Sequence, residues 1–174
     1  RDAYDNYNSG VGVGCAAKYN RQYGVGVGAG ASNNHDYGVG VGSNAANNYN
    51  YGVGIGACSQ YNRDYGTGVG AYTSSKSSSL ALGYDADATQ IEAVALGAGA
   101  KANAMRSVAI GVNCTNNSTD TVKIKEGYTL KVDSITISSD NIGGITISTN
   151  VYIQSTLNVT QSAGFSGDLV VFST

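Results

Sequence analysis

The sequence predicts an all-β solenoid, a parallel β-roll of about eight coils, and three observations carry that prediction. The first is a period. The glycine closing each apolar pair falls at Gly14, Gly28, Gly42, Gly56, Gly70, Gly83, Gly97 and Gly111, spaced by 14 except for 13 between Gly70 and Gly83. Fixed-period self-similarity is the mark of a stacked repeat. The second is alternation ahead of each glycine: Val11/Val13, Val25/Val27, Val39/Val41, Val53/Ile55, Thr67/Val69, Leu80/Leu82, Val94/Leu96 and Val108/Ile110. Period two puts both members of a pair on one face of a short strand. The third is composition. With Gly 25, Tyr 13, Pro 0 and Trp 0, and few large aliphatic residues in the first two thirds, the chain can fill a thin coil but not a broad globular core.

Each coil position then acquires an expected role. The pairs Val11, Val13, Val25, Val27, Val39, Val41, Val53, Ile55, Leu80, Leu82, Val94, Leu96, Val108 and Ile110 are expected to fill the coil interiors. Between their members stand only the two smallest side chains: Gly12, Gly26, Gly40, Gly54, Gly68, Ala81, Ala95 and Ala109. That column is expected to point away from the valines, toward the backbone of a neighbouring chain. Asn20, Asn34, Asn48 and Asn62 form a ladder broken at Lys76, and asparagine's tolerance of left-handed backbone places it at a corner. Tyr23, Tyr37, Tyr51 and Tyr65 recur once per coil. At about 4.8 Å per coil their rings would stack near contact distance, an aromatic column suited to sugar rings or a protein ligand.

Bulk properties narrow the function. A net charge of −2 and 13% charged residues argue against a nucleic-acid surface. No run approaches the ~20 apolar residues of a membrane-spanning helix, so no direct membrane insertion is expected in this segment. No signal peptide is visible, and a start on Arg1 rather than methionine points to a processed product or a fragment. Cys15, Cys58 and Cys114 lack metal-type spacing and read as small buried hydrophobes before intermolecular disulfides.

Beyond about residue 114 the 14-residue spacing is expected to stop, dividing the chain into a roll at 1–114 and a β-rich fibre or knob region at 115–174. There Val122/Ile124, Leu130/Val132, Ile135/Ile137, Ile145/Ile147, Val151/Ile153 and Leu157/Val159 alternate in short runs between Gly- and Asn-containing turns. Asn113, Asn116, Asn117 and Asn158 open glycosylation acceptor patterns that arise easily by chance in a chain rich in Asn, Ser and Thr.

The coils from Ser79 to Gly111 read "SLALGYDADATQIEAVALGAGAKANAMRSVAIG". This resembles the head repeat of trimeric autotransporter adhesins of the YadA type, most closely in "SVAIG" at Ser107–Gly111, "AVALG" at Ala93–Gly97 and the spacer "GAGAKANA" at Gly97–Ala104. The earlier coils replace Ala by Gly and Ser by Tyr but keep the period, so the resemblance spans about residues 9–114. It implies a left-handed parallel β-roll, a homotrimer of chains packed side by side, and adhesion to host cells or matrix from a bacterial surface. The family's coiled-coil stalk and membrane barrel are not in this segment, and cysteines are unexpected in a chain exported unfolded. Thr156–Val171, "TLNVTQSAGFSGDLVV", is weakly similar to trimeric fibre segments of phages and large viruses, which would place the head on a virion.

Catalytic arrangements are poorly supported. His35 is the sole histidine and shares its coil position with Arg21, Tyr49 and Arg63, as a surface turn residue would. Asp85, Asp87 and Glu92 are the densest carboxylates and read as solvated loop charges before a glycosidase pair or a calcium site. No cofactor and no metal is expected. The sequence therefore points to a non-enzymatic homotrimeric attachment head for a host protein or glycan. A purely structural fibre element is the alternative. A monomeric ice-binding-type solenoid is the third reading, and it needs aligned threonines where only Thr67 is offered.

Overall fold

The computed structural model describes residues 5–127. The chain divides into two compact units, Arg1–Leu130 and Lys131–Thr174, and the following concerns the first. Its strands are β1 (Val11–Val13), β2 (Val25–Val27), β3 (Val39–Val41), β4 (Val53–Ile55), β5 (Thr67–Val69), β6 (Ser74–Ser75) and β7 (Leu80–Leu82). They continue as β8 (Asp87–Ala88), β9 (Val94–Leu96), β10 (Lys101–Ala102), β11 (Val108–Ile110), β12 (Thr115–Asn116) and β13 (Val122–Ile124). The architecture is all-β: a nine-stranded sheet in the order β1-β2-β3-β4-β5-β7-β9-β11-β13 and a four-stranded sheet in the order β12-β10-β8-β6. Every pairing is parallel, and Val25 lies beside Val39 as Val39 lies beside Val53. One coil of chain therefore advances one strand. Each expected apolar pair is a strand of the long sheet.

The coil interior is the reverse of the expectation. Ala81, Ala95 and Ala109 are fully buried, and Gly26, Gly40, Gly54 and Gly68 are buried with them. A Cβ on Gly40 would sit 2.2 Å from the carbonyl oxygen of Ala45 and 2.7 Å from the Asn34 side chain, while one on Gly12 would meet Ala17 and Asn6 at 2.3 Å. The column Gly12, Gly26, Gly40, Gly54, Gly68, Ala81, Ala95, Ala109 thus faces the far wall of its own coil and not a neighbouring chain. Conversely, Val11, Val13, Val25, Val27, Val39, Val41, Val53, Ile55, Leu80, Leu82, Val94, Leu96, Val108 and Ile110 point outward, and none is buried. Val13 is 54% exposed, Ile55 43% and Leu82 45%. The reason is width: the lumen holds only Gly, Ala, Ser, Thr, Cys and Asn, so branched side chains have nowhere to go but out.

Asparagine fills the lumen of the early coils. Asn20, Asn34, Asn48 and Asn62 are fully buried, not at a corner; the left-handed residues are those just before them, Tyr19, Asn33, Asn47 and Tyr61. The Asn34 side-chain amide donates to Asn20 Oδ1 at 2.9 Å and across the coil to the Ala45 carbonyl at 3.2 Å. Asn48 and Asn62 repeat the step at 2.9 Å. The ladder begins one coil earlier than expected, where Asn6 Oδ1 accepts from the Asn20 backbone at 2.9 Å. It is closed by Ser75, whose hydroxyl donates to Asn62 Oδ1 at 2.7 Å, so Lys76 is not its successor.

The anomalous spacing marks a change of coil type. From Gly56 to the lumen residue Asn62 is six positions; from Gly70 to Ser75, and from Gly83 to Ala88, it is five. The four short strands of the second sheet begin at this shortened turn. Where the lumen residue shrinks from Asn to Ser75, Ala88 and Ala102, the opposite wall grows from Gly to Ala81, Ala95 and Ala109. The two walls conserve volume between them.

Closing glycines are forced by backbone approach. Gly42 adopts φ 134, and a Cβ there would fall 2.4 Å from the Gly56 carbonyl oxygen. The solenoid also outlasts its expected boundary at 114: β13 pairs with β11 as Val108 beside Val122 and Ile110 beside Ile124, again a 14-residue step. The runs from Leu130 onward, the acceptor pattern at Asn158 and the fibre-like stretch Thr156–Val171 lie outside the described residues.

A wall this close cannot take a methyl group in the asparagine coils. Gly40→Ala is expected to cost about 2–3 kcal/mol, at the upper end of overpacking penalties. Ala95→Gly, at the equivalent position of an alanine coil, is expected to cost only ~1 kcal/mol. Urea unfolding of both variants measures the difference, and equal costs would refute the two-wall account.

Candidate functional site

Two surface features are built by the repeat. The first is the outward face of the nine-stranded sheet. Its valines, leucines and isoleucines make one apolar stripe, about 38 Å long at the usual strand spacing. Contiguous apolar surface of this extent is uncommon on a solitary soluble chain and marks an interaction face.

The second is the tyrosine column, which stands where the spacing placed it. Tyr23 and Tyr37 have ring centroids 5.0 Å apart, Tyr37 and Tyr51 4.8 Å, and Tyr51 and Tyr65 5.0 Å, with interplanar angles of 9°, 1° and 2°. Backbone bonding sets this stack: the Tyr37 amide donates to the Gln22 carbonyl at 3.1 Å, and Tyr51 to Asp36 at 3.0 Å. Each tyrosine is the third residue of a tight turn. Gly24 donates to the Arg21 carbonyl at 2.9 Å while Gln22 and Tyr23 hold φ 51 and 63, the signature of a type I′ turn. That position ordinarily favours Gly or Asn.

A bulky residue in left-handed backbone costs on the order of 1–2 kcal/mol. One stacked aromatic pair returns about 0.5–1.5 kcal/mol. Four such tyrosines cost about 4–8 kcal/mol against about 1.5–4.5 kcal/mol returned by three stacking contacts, so stability alone gives little reason to place tyrosine there. Face-to-face stacking also changes what the column offers. The rings cover one another's faces, leaving edges and hydroxyls outward; only Tyr23 and Tyr65, at the ends beside the left-handed Ser9 and Ser78, have a face without a ladder partner.

A parallel column escaped sequence reasoning. Tyr7, Arg21, His35, Tyr49 and Arg63 recur every 14 residues. His35 stacks on Tyr49 at 5.0 Å and 4°, while Arg21 and Arg63 lie over the Tyr7 and Tyr49 rings at 5.7 Å. Both arginines also donate to the phenol oxygens, at 2.6 and 2.8 Å. His35 Nδ1 lies 2.8 Å from the Asp36 carboxylate. The residue identities looked variable, but every one is planar, and planarity was the signal to follow.

Among the described residues no group of three His, Cys, Asp or Glu side chains gathers as a metal site. The cysteines differ from one another: Cys114 is buried in the lumen as a small hydrophobe, whereas Cys15 is exposed and Cys58 half-buried. Asp87 lies on β8 with Oδ1 buried and unpartnered. Burial pushes its carboxyl above the ordinary value of 3.8 despite the attraction of Lys101 and Lys76. The hydrogen bond from Arg106 draws the exposed Asp120 below that value.

Residues 74–100 and 88–113 match the family model of the YadA head domain repeat, in two copies. The matched residues lie in the alanine coils and the shortened turn before them, and over residues 74–113 the solenoid is similar to the YadA head repeat. A comparison with curated proteins finds no match to the chain.

The two carboxylates act oppositely on stability. Asp87 holds its proton to higher pH in the folded chain than in the unfolded one, so its contribution falls as pH rises above 3.8. Asp120 contributes above that value and loses its contribution as pH falls. Asp87→Asn is therefore expected to raise the thermal midpoint at pH 7 and to leave it unchanged in acid below the ordinary aspartate range. A lowered midpoint at pH 7 would mean that pairing with Lys76 and Lys101 outweighs burial.

Proposed function

We propose that this chain is the head segment of a non-enzymatic, homotrimeric surface fibre that attaches its carrier to a host cell or matrix. The observation that carries the reading is the long apolar face of the nine-stranded sheet, which a single chain leaves in water. YadA head domains typically form homotrimers. Three chains meeting on these faces would cover the valines and leucines and leave both planar columns outside. Three copies of each column would then act together, and multivalency turns weak contacts into firm attachment.

Light scattering at low micromolar concentration tests the assembly. Three chains of 17.7 kDa give about 53 kDa. Leu82→Lys together with Ile55→Lys is expected to reduce that mass to one chain, because each trimer would bury six unpaired ammonium groups. A wild-type mass of one chain would overturn the trimer.

Attachment is tested separately with Tyr37→Asn/Tyr51→Asn. Asparagine suits left-handed turn positions, so the fold is expected to hold within ~1 kcal/mol. Binding of the purified protein to cultured cells and to a matrix-coated surface is expected to drop at least tenfold. Unchanged binding would leave the tyrosines a structural role.

A further inference from the structure

The one irregular spacing in the repeat coincides with a cleft. Early coils carry two residues between the buried corner and the lumen asparagine, as Gln60 and Tyr61 stand between Ser59 and Asn62. The next coil has only Ser74 between Thr73 and Ser75. Tyr61 is therefore the last residue of its column, and the wall steps inward beneath it. The step opens a cleft of about 400 Å³ lined by Cys58, Gln60, Tyr61, Tyr72, Thr73, Ser74 and Asp85. It is a shallow site, largely open to solvent.

The lining has a definite chemistry. Tyr61 and Tyr72 are 50% and 56% exposed. Neither belongs to the stacked column, and Tyr72 meets Tyr84 in an edge-type contact at 5.7 Å, not face to face. Cys58, Tyr61, Tyr72 and Asp85 all hold left-handed backbone, with φ 56, 60, 61 and 53. The Gln60 amide nitrogen is committed to the Asn44 carbonyl at 2.9 Å, which orients the side chain and leaves its oxygen as the free acceptor. Thr73 is buried and its hydroxyl is engaged with Ser59 at 2.6 Å, so it forms floor and not contact surface. The exposed polar set offers the Asp85 carboxylate and the Gln60 oxygen as acceptors, and phenol hydroxyls that both donate and accept.

We propose that this step binds one neutral pyranose unit of a glycan. A pyranose has an apolar C–H face that packs on an aromatic ring and a rim of hydroxyl donors that suits carboxylate and amide acceptors. An anionic ligand is disfavoured by Asp85, and no cation lines the cleft. A cationic ligand would meet one exposed carboxylate, Asp85, and aromatic rings worth only about 0.5–1 kcal/mol to it, with no second anion lining the cleft. Lys76 and Lys101 lie close enough to Asp87, beside Ser74 in the second sheet, to offset its charge, which weakens the pull on a cation further.

The proposal deepens the attachment reading by naming a ligand class, but the cleft lies within one chain and is independent of trimer formation. Saturation-transfer NMR on the full chain, with millimolar methyl glycosides of glucose, galactose, mannose and N-acetylglucosamine, tests it directly. At least one is expected to receive saturation, with Tyr61→Ala and Tyr72→Ala each weakening binding tenfold or more. Asp85→Asn should weaken it three- to tenfold. The strand signature in circular dichroism confirms that each variant is folded, and Tyr72→Phe, which keeps the ring, is expected to retain most binding. No transfer to any glycoside, transfer unaffected by Tyr72→Ala in a folded variant, or preference for tetramethylammonium or phosphate would each overturn the proposal. Attachment to cells without glycoside binding would sink this site alone, whereas glycoside binding without attachment would sink the attachment reading alone.

Discussion

The asparagine amide that spans the coil governs the early half of this molecule. Asn34 reaches from one wall to the Ala45 carbonyl on another while passing a hydrogen bond to the coil before it. A buried amide left without partners costs about 1–3 kcal/mol, so each asparagine needs the next coil in its own register. Its size demands glycine opposite, and glycine there leaves no room for a methyl group. Once the lumen is occupied by polar side chains and backbone, the strand's branched residues must turn outward. The apolar external face follows from the polar interior.

This inversion explains how so glycine-rich a chain forms ordered coils. The early coils gain little from burying aliphatic side chains within the chain. They depend on continuous hydrogen bonding along the stack, and the branched apolar side chains that ordinarily drive folding by burial stay outside the coil. The alanine coils take a different course. Ala81, Ala86, Ala88, Ala93, Ala95, Ala100, Ala102, Ala109 and Cys114 pack as a continuous apolar cluster, small but dry. Two interiors of different chemistry share one backbone period, and Ser59, Thr73 and Ser75 join them through hydroxyl bonds.

Much of this was legible in the sequence, and the failures share one cause. The period gave every strand of the long sheet through β11 and placed the tyrosines in one column. What period-two alternation does not carry is a sign. It says Val39 and Val41 share a face opposite Gly40, and it is silent on which face is inside. The familiar preference for apolar interiors supplied the wrong answer because it assumes a lumen wide enough for valine. The information was nevertheless present as a correlation: Gly12 through Gly68 accompany asparagine coils, and Ala81 through Ala109 accompany Ser75, Ala88 and Ala102. Two positions that trade volume coil by coil must touch. The boundary at 114 failed for a related reason: Val122/Ile124 reads as a strand, but Lys123 replaces the small central residue and hides its place in the roll.

The single-residue deletion is where these threads meet. In a solenoid each coil is held by the ones on either side, so a missing residue cannot be absorbed by sliding; it must appear as a step in the wall. Here it falls between the last asparagine coil and the first alanine coil, and the residues that rim it are two tyrosines outside the stacked column. A change of interior needs no aromatic rim, since Ser75 alone completes the hydrogen-bond ladder. The corner that Tyr72 and Asp85 occupy is left-handed in the other coils too, where Ala16, Gly30, Asn44, Cys58, Gly99 and Asn113 fill it, so the side chains and not the backbone distinguish the step. The aromatic rim at the one break in the wall is the feature that the proposed pyranose site accounts for and the stacking of the coils does not.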